Sequence, residues 1–226
     1  MINKFLSDHT IINTMKRLSE KEIRETLKIL ESTYGGMNTA LTFKTPYQLL
    51  VSTMMAAQST DVQVNKVTEK LFADRPEACD IARMKQEELE EYIKTVGLYR
   101  SKAKNVLATS RIIAGKYDGD IPRTREEMME LPGVGRKTAN VVLSIVNKMP
   151  AIAVDTHVFR VSNRIGLANA KDVLKTEEQL MEVIPEEKWA DAHHWLIWHG
   201  RKICKARRPL CEECGLRQYC VYFNNN

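Results

Sequence analysis

The stretch LPGVGRK at 131–137 decides the fold of this chain, because it joins two helices through a short glycine turn. A capping-box pattern, TREE at 124–127, starts the first helix. The Pro-Gly pair at 132–133 ends that helix, and Gly135 is expected to allow a second tight turn. A second helix with an apolar face begins near Arg136. The pattern predicts a helix-hairpin-helix, whose free backbone N–H groups at a helix N-terminus are suited to bind a phosphate.

Two residues near this turn carry reactive groups. Lys137 is placed in the first turn of the second helix, where the helix dipole disfavours a cation. Asp155 follows an apolar extended run at 152–154 and precedes another helix. Taken singly, an ordinary helix corner and an N-cap carboxylate would explain the two positions. A lysine at a phosphate-binding turn with a carboxylate 18 residues later is a less common arrangement, and it favours a functional site.

Four of the five cysteines fall within 17 residues. Cys204, Cys211, Cys214 and Cys220 follow the spacing C-x6-C-x2-C-x5-C. Disulfides explain them poorly, since the chain begins with a polar stretch and no signal peptide, and Cys79 is left over. Four close thiolates suit zinc or an iron–sulfur cluster, and the spacing alone leaves both open. Cys79 is expected to be a buried, inert thiol.

Composition and helical periodicity predict an all-α, intracellular protein. The 226 residues suffice for one large or two small domains with a real core. The net charge of +5 is mildly basic, a balance that fits a limited contact with nucleic acid and that many proteins without such contacts share. No apolar stretch reaches the length of a membrane span. The aromatic and histidine-rich segment 189–199 is assigned to packing. Residues 1 to about 17 are interpreted as an extension without an assigned role.

LPGVGRKTANVVLS at 131–144, followed by AVDTHVFRVSNR at 153–164, resembles the helix-hairpin-helix DNA glycosylase superfamily, and most closely its endonuclease III branch. The likeness covers about Thr45 to Tyr222. It implies two helical lobes. One is a six-helix barrel over 39–149 that contains the hairpin at about 124–147. The other combines 1–38 with 150–226 and carries the cluster, and the site is expected in the cleft between the lobes.

The resemblance also implies the chemistry. The four cysteines would hold a 4Fe-4S cluster, and the chain would be a base excision repair enzyme acting on damaged double-stranded DNA. It would be a bifunctional DNA glycosylase and AP lyase that removes oxidised pyrimidines. Lys137 would attack the sugar as a neutral amine and form a Schiff base, which requires partial desolvation or neighbouring positive charge. Asp155 would stabilise the positive charge that develops on the sugar.

Further residues of the resembling motifs are expected to contact DNA. Gln58 and Leu98 would enter the space that an extruded nucleotide leaves, which offsets part of the cost of unstacking. Ser59 stands where an alanine is commoner in the family's motif. The hairpin and the loop between the first two cysteines would bind the phosphate backbone. These backbone contacts are Gly133, Val134, Gly135, Lys205, Arg207 and Arg208.

Two alternative functions stay open at this stage. One is a monofunctional adenine or mismatch glycosylase, although adenine glycosylases lack a lysine at the position of Lys137 and carry a further mismatch-reading domain. The other is a non-catalytic DNA-binding module, in which Lys137 only touches phosphate and Asp155 only caps a helix. The chain is expected to act as a monomer in the cytoplasm, associated with the nucleoid.

Overall fold

The computed structural model describes residues 17–225, and all regular secondary structure within them is helical. The all-α prediction is confirmed. The predicted N-terminal extension lies almost wholly outside the described residues. The α-helices are α1 Glu20–Tyr34, α2 Pro46–Ala56, α3 Asp61–Asp74, α4 Ala78–Ala82, α5 Gln86–Ile93, α6 Tyr99–Lys116, α7 Arg125–Met129, α8 Arg136–Val146, α9 Thr156–Ile165, α10 Val173–Val183, α11 Trp189–Lys202 and α12 Val221–Asn224.

The described chain forms two compact units. One is Thr39–Met149, and the other combines the described residues up to Asn38 with those from Pro150 onward. None of the helices between residues 17 and 225 has both the length and the apolar composition needed to cross a membrane.

The unit 39–149 contains seven helices, α2 to α8, where the sequence predicted six. Its centre is α2, on which Leu49, Leu50 and Val51 are fully buried. Consecutive buried residues on one helix require neighbours on several sides, and α2 packs against α3, α6 and α8. This surrounded helix carries at its C-terminus the turn that bears Gln58.

Helix α4, Ala78–Ala82, corrects the prediction for Cys79. Ala78 and Ile81 are fully buried, three residues apart on one face. Cys79 lies on the opposite face of this five-residue helix and is exposed, so the prediction of a buried thiol is wrong. A helix of only five residues is too short for its apolar periodicity to be recognised in the sequence.

The second unit is built around α11, which packs against α1 and α9. Trp195 is buried there, and His193, His194 and His199 are likewise at most 7% exposed. The assignment of this segment to packing is therefore confirmed. Within residues 17–225, no three histidine, cysteine, aspartate or glutamate side chains are grouped closely enough to hold a single metal ion.

Helix caps explain where several helices begin. Ser19 and Glu22 form a reciprocal capping box at the start of α1, as their three-residue spacing favours. Helix α10 begins at Val173, because the side chain of Asp172 accepts a hydrogen bond from the backbone N–H of Lys175 at 2.8 Å. Helix α6 begins at Tyr99, directly after the left-handed backbone of Leu98.

Candidate functional site

The hairpin has the predicted form, a short α7 followed by a glycine turn and α8. Gly133 has a φ of 79°, a left-handed conformation that a residue with a side chain adopts only with strain. A Cβ atom there would lie 2.6 Å from the Nδ2 and 2.8 Å from the Cβ of Asn105 on α6. Thr109, also on α6, donates a hydrogen bond to the Pro132 carbonyl at 3.0 Å. Helix α6 therefore fixes the position of the turn.

Gly135 and Val134 have different roles from Gly133. Gly135 is the N-cap of α8 and has an extended backbone with a φ of −96°, so the prediction that it permits a second tight turn is wrong. A Cβ atom at Gly135 would meet nothing within 4 Å, which leaves open space before the helix. Val134 is buried, and its N–H bonds the Leu131 carbonyl at 3.0 Å, so it stabilises the turn from within.

The start of α8 is a helix N-terminus without a side-chain cap. The first N–H groups of a helix have no partner inside the helix, and an anion can bind them. Lys137 is the second residue of α8 and is exposed. Among residues 17–225, no hydrogen bond or ion pair holds its ammonium group. The hairpin thus presents an amine beside an uncapped helix N-terminus.

Asp155 is the N-cap of α9 in the second unit. One of its carboxylate oxygens accepts a hydrogen bond from the Val158 N–H at 2.8 Å. A carboxylate has two oxygens, so this bond leaves acceptor capacity for another partner. The capping role and a role in chemistry are therefore compatible. The negative charge also acts on its neighbours, since it opposes the lowering of the pKa of His157, whose main cause is burial.

Gln58 and Leu98 share an unusual backbone conformation. Their φ angles are 56° and 57°, and Leu98 is 60% exposed although it is a large apolar residue. Non-glycine residues pay a conformational cost of about 1–2 kcal/mol in this region, and such strain is concentrated at functional sites. Within residues 17–225 five non-glycine residues have a positive φ, and three of them are predicted DNA contacts: Gln58, Leu98 and Arg208. The turns of Gln58 and Leu98 lie side by side, joined by a hydrogen bond from the Gly97 N–H to the Ser59 hydroxyl.

The four predicted cluster ligands lie in one region of the second unit, and all are partly buried. Burial raises the pKa of Cys214, and repulsion from Cys204 and Cys211 adds to the increase. Burial also raises the pKa of Cys220 to about 11, with further contributions from Cys204 and Cys214. Four thiolates so close together need positive charge between them, which the iron of a cluster supplies.

The environment of the cysteines fits an iron–sulfur cluster, whose usual protein ligands are four cysteine thiolates. Two polar side chains lie close to the cysteine sulfurs, the guanidinium of Arg164, which donates, and the imidazole of His199, whose role depends on its tautomer. Arg164 Nη1 is 3.8 Å from the Sγ of Cys204, and His199 Nε2 is 3.7 Å from the Sγ of Cys214. Hydrogen bonds of this kind stabilise the negative charge on cluster sulfurs.

The basic loop between the first two cysteines is held from inside the unit. Lys205, Arg207 and Arg208 are exposed. The guanidinium of Arg164 donates to the carbonyls of Lys205 at 2.8 Å and of Ala206 at 3.2 Å. Arg164 was not among the predicted site residues, and neither was Arg160, whose guanidinium donates to the Cys204 carbonyl at 3.1 Å. Their i, i+4 spacing on α9 would have placed both on one face.

Comparisons with known families agree with this geometry. Residues 51–186 match the family model of the HhH-GPD superfamily of base excision DNA repair proteins. Residues 204–220, from the first to the last of the four clustered cysteines, match the iron–sulfur binding domain of endonuclease III. The hairpin and the cysteine region therefore define the class: a helix-hairpin-helix base excision repair protein with an iron–sulfur domain.

Individual proteins and solved structures show which branch of this class the chain resembles. Endonuclease III of Escherichia coli is 44% identical over 211 residues, which cover 93% of this chain and 97% of the relative. Endonuclease III of Haemophilus influenzae is 49% identical over 186 residues, which cover 81% and 87%. A trapped covalent intermediate of endonuclease III with DNA superposes with a TM-score of 0.87 at 42% identity, covering 92% of this chain and 98% of that one. A thermostable thymine-DNA glycosylase superposes with a TM-score of 0.82 at 25% identity, covering 91% and 98%.

The chain belongs to the endonuclease III family. It is a DNA-binding base excision repair enzyme, a bifunctional DNA glycosylase and AP lyase with a 4Fe-4S cluster.

Proposed function

We propose that the enzyme removes oxidised pyrimidines from damaged duplex DNA and cleaves the abasic strand through a Schiff base on Lys137. The observation that carries the proposal is the exposed Lys137 amine beside the uncapped N-terminus of α8. A phosphate bound at this N-terminus would place the DNA backbone close to the amine. The same N-terminus would hold the strand while the sugar reacts.

The two reactive residues would have separate roles. The neutral amine of Lys137 attacks the anomeric carbon, the bond from this carbon to the base breaks, and the base leaves with a proton. The attached nitrogen loses one proton, and the bond from the anomeric carbon to the ring oxygen breaks with a proton going to that oxygen, which gives a protonated Schiff base. This Schiff base acidifies the neighbouring sugar carbon, whose proton is removed as the bond to the 3′ phosphate breaks. The carboxylate of Asp155 stabilises the positive charge that develops on the sugar.

The remaining predicted residues would bind DNA. Gln58 would pair with the base left without a partner, and Leu98 would fill the stack from which the nucleotide is extruded. The loop with Lys205, Arg207 and Arg208 would contact phosphates at low entropic cost, because Arg164 already holds its backbone. The bound 4Fe-4S cluster would hold both ends of this loop. Its role in this proposal is structural.

Borohydride trapping tests the role of Lys137. Reduction of the enzyme–DNA mixture should give a covalent adduct with the parent and with Lys148→Gln, a control in the same unit that is also exposed. Lys137→Gln should give none. An adduct of Lys137→Gln as abundant as that of the parent would contradict the assignment.

Asp155→Asn separates charge from capping. Asparagine keeps an oxygen that can accept the bond from the Val158 N–H, so α9 should remain stable. The loss of the charge should lower the single-turnover excision rate by about 100-fold, since an electrostatic contact to the transition state is worth several kcal/mol. Asp155→Ala loses both roles and should also melt at a lower temperature. An Asp155→Asn variant with parental excision rate would exclude the electrostatic role.

A panel of defined lesions tests the substrate class. Saturated pyrimidines such as thymine glycol should be excised faster than undamaged or mismatched bases, with nicking of abasic duplex as the reference activity. We also infer that the enzyme acts as a monomer in the cytoplasm, at the nucleoid. Sedimentation analysis of the DNA complex tests the first inference, and co-purification with chromosomal DNA tests the second.

A further inference from the structure

The turns that carry Gln58 and Leu98 touch each other through their backbones. Gly97 comes directly before Leu98, and a Cβ atom on Gly97 would lie only 2.8 Å from the carbonyl oxygen of Gln58. The Gly97 N–H donates to the Ser59 hydroxyl at 3.1 Å. One turn therefore cannot move without disturbing the other. Gln58 and Leu98 are called the wedge residues below.

Lys102 binds both turns from underneath. It is only 7% exposed, which is unusual for lysine, and burial lowers its pKa. Its ammonium group donates to the Met55 carbonyl at 2.8 Å, to the Ala57 carbonyl and to the Ser59 hydroxyl at 3.2 Å. Its backbone N–H donates to the Leu98 carbonyl at 3.1 Å. Its side chain thus holds the first turn and its backbone the second.

Ser59 is the second member of this arrangement. Its hydroxyl oxygen accepts two hydrogen bonds, from Gly97 in one turn and from Lys102 beneath both. Close by, the side chain of Gln63 donates to the hydroxyl of Thr95, which adds a second link between the segments that contain the turns. The links join residues more than 30 positions apart, so they fix the turns relative to each other as well as locally.

We propose that Lys102 and Ser59 are positioning residues that hold both wedge residues in the left-handed conformation, ready to enter DNA together. This inference rests on the proposed role of Gln58 and Leu98. A strained backbone persists only where its surroundings determine it, and here the surroundings are the bonds of Lys102 and Ser59. Without them the turns relax, and the wedge residues reach the DNA stack in only a fraction of the molecules.

Helix capping alone does not account for the arrangement. The ammonium of Lys102 does donate hydrogen bonds to carbonyls at the C-terminal end of α2, where the helix dipole favours a cation. Capping, however, needs only the carbonyls of Met55 and Ala57. The bonds of Ser59 to Gly97 and Lys102 add nothing to the end of α2, and they connect it to the turn of Leu98.

Two variants and a matched control test the proposal. Lys102→Met keeps the length of the side chain and removes its donors, and Ser59→Ala removes only the hydroxyl. Lys104→Met removes the same charge from an exposed position on the same helix. Each is assayed for single-turnover excision of thymine glycol from duplex DNA and for cleavage of a single-stranded abasic oligonucleotide, which needs no extrusion from a stack. The fluorescence of 2-aminopurine placed opposite the lesion reports unstacking directly.

The expected result is a selective loss. Excision from duplex should fall roughly tenfold or more in Lys102→Met and about threefold in Ser59→Ala, with a smaller rise in 2-aminopurine fluorescence. Cleavage of the single-stranded abasic substrate should stay within about twofold of the parent, and Lys104→Met should resemble the parent in every assay. If Lys102→Met does not fold, Ser59→Ala decides alone, because it leaves the two carbonyl bonds of Lys102 in place.

Gln58→Ala and Leu98→Ala distinguish the possible failures. If these two lose duplex excision while Lys102→Met and Ser59→Ala keep it, the positioning role is refuted and the proposed function stands. If Gln58→Ala and Leu98→Ala also keep it, the wedge role in the proposed function is itself wrong. An equal loss on duplex and single-stranded substrates would show general destabilisation and would overturn the positioning role.

Discussion

The two glycines of the hairpin turn should respond in opposite ways to the same substitution. Gly133 has a φ of 79°, and a Cβ atom added there would lie 2.6–2.9 Å from three atoms of Asn105. Gly135 has a φ of −96°, and a Cβ atom added there would meet nothing within 4 Å. We therefore expect Gly133→Ala to act on stability and Gly135→Ala to act on DNA binding.

The cost of Gly133→Ala has two parts. An L-residue with a side chain loses about 1–2 kcal/mol in the left-handed region. The overlap adds about 1–3 kcal/mol, because one of the three atoms is the Asn105 Cβ, which is fixed to α6 and cannot rotate away. The free energy of unfolding should thus fall by about 2–5 kcal/mol, which for a chain of this size lowers Tm by roughly 4–20 °C.

Gly135→Ala should leave the fold almost intact. Alanine is a poorer N-cap than glycine, so we expect a loss of under about 1 kcal/mol in stability. The new methyl group would stand in the open space before α8, where a phosphate would approach the first N–H groups. Loss of such a charge-assisted contact should weaken binding to abasic-site duplex by about tenfold or more.

Thermal unfolding and a DNA-binding titration of both variants test this pair. A double variant, Gly133→Ala with Asn105→Ala, removes two of the three close contacts, so its destabilisation should be about 1 kcal/mol smaller than the sum of the single effects. A Gly133→Ala protein that melts like the parent would refute the steric reasoning. A Gly135→Ala protein that binds DNA like the parent would show that phosphate does not approach this N-terminus.

Two further predictions concern the second unit. Burial lowers the pKa of His194 from its ordinary value of 6.5, and the negative charge of Asp191 partly opposes this lowering. As the pH falls, the unfolded chain therefore takes up this proton before the folded chain does. The free energy of unfolding should decrease as the pH drops from about 6.5 toward the folded-state pKa. His194→Leu should flatten this slope in denaturation experiments at pH 7.5 and pH 5, and an unchanged slope would contradict the assignment. The hydroxyl of Tyr34 lies 3.1 Å from Nδ1 of His199, and burial lowers the pKa of that imidazole to about 4. If the Tyr34 hydroxyl donates to Nδ1, the imidazole proton is on Nε2, which faces the Sγ of Cys214. Tyr34→Phe should then speed chelator-driven loss of iron about threefold. A parental rate of iron loss would refute this connection between Tyr34 and the cluster.

The sequence was most informative where local rules act. The capping box of Ser19 and the start of α8 after a glycine turn follow from spacing, and both are present in the structure. The four cysteines were recognisable from spacing as ligands, although spacing left zinc and a cluster equally open. The comparisons with the iron–sulfur domain of endonuclease III decide for the cluster.

Long-range contacts set the features that the sequence did not predict. Gln58 and Leu98 adopt a left-handed backbone, which neither residue type favours, and the bonds that impose it come from residues more than 30 positions away. In the sequence Lys102 resembles any exposed lysine, and only its burial under both turns shows that it is different. Cys79 was misjudged for the opposite reason, because thiols are usually buried and a five-residue helix happens to turn this one outward.

The strained positions suggest why the wedge is held by polar groups. An apolar residue at position 102 would avoid the cost of burying an ammonium, but it could not satisfy the carbonyls of Met55 and Ala57, which the end of α2 leaves without helical partners. Hydrogen bonds also have direction, whereas apolar contacts can be remade after a small shift. A left-handed turn that must not relax is therefore better fixed by the ammonium of Lys102 and the hydroxyl of Ser59 than by packing alone.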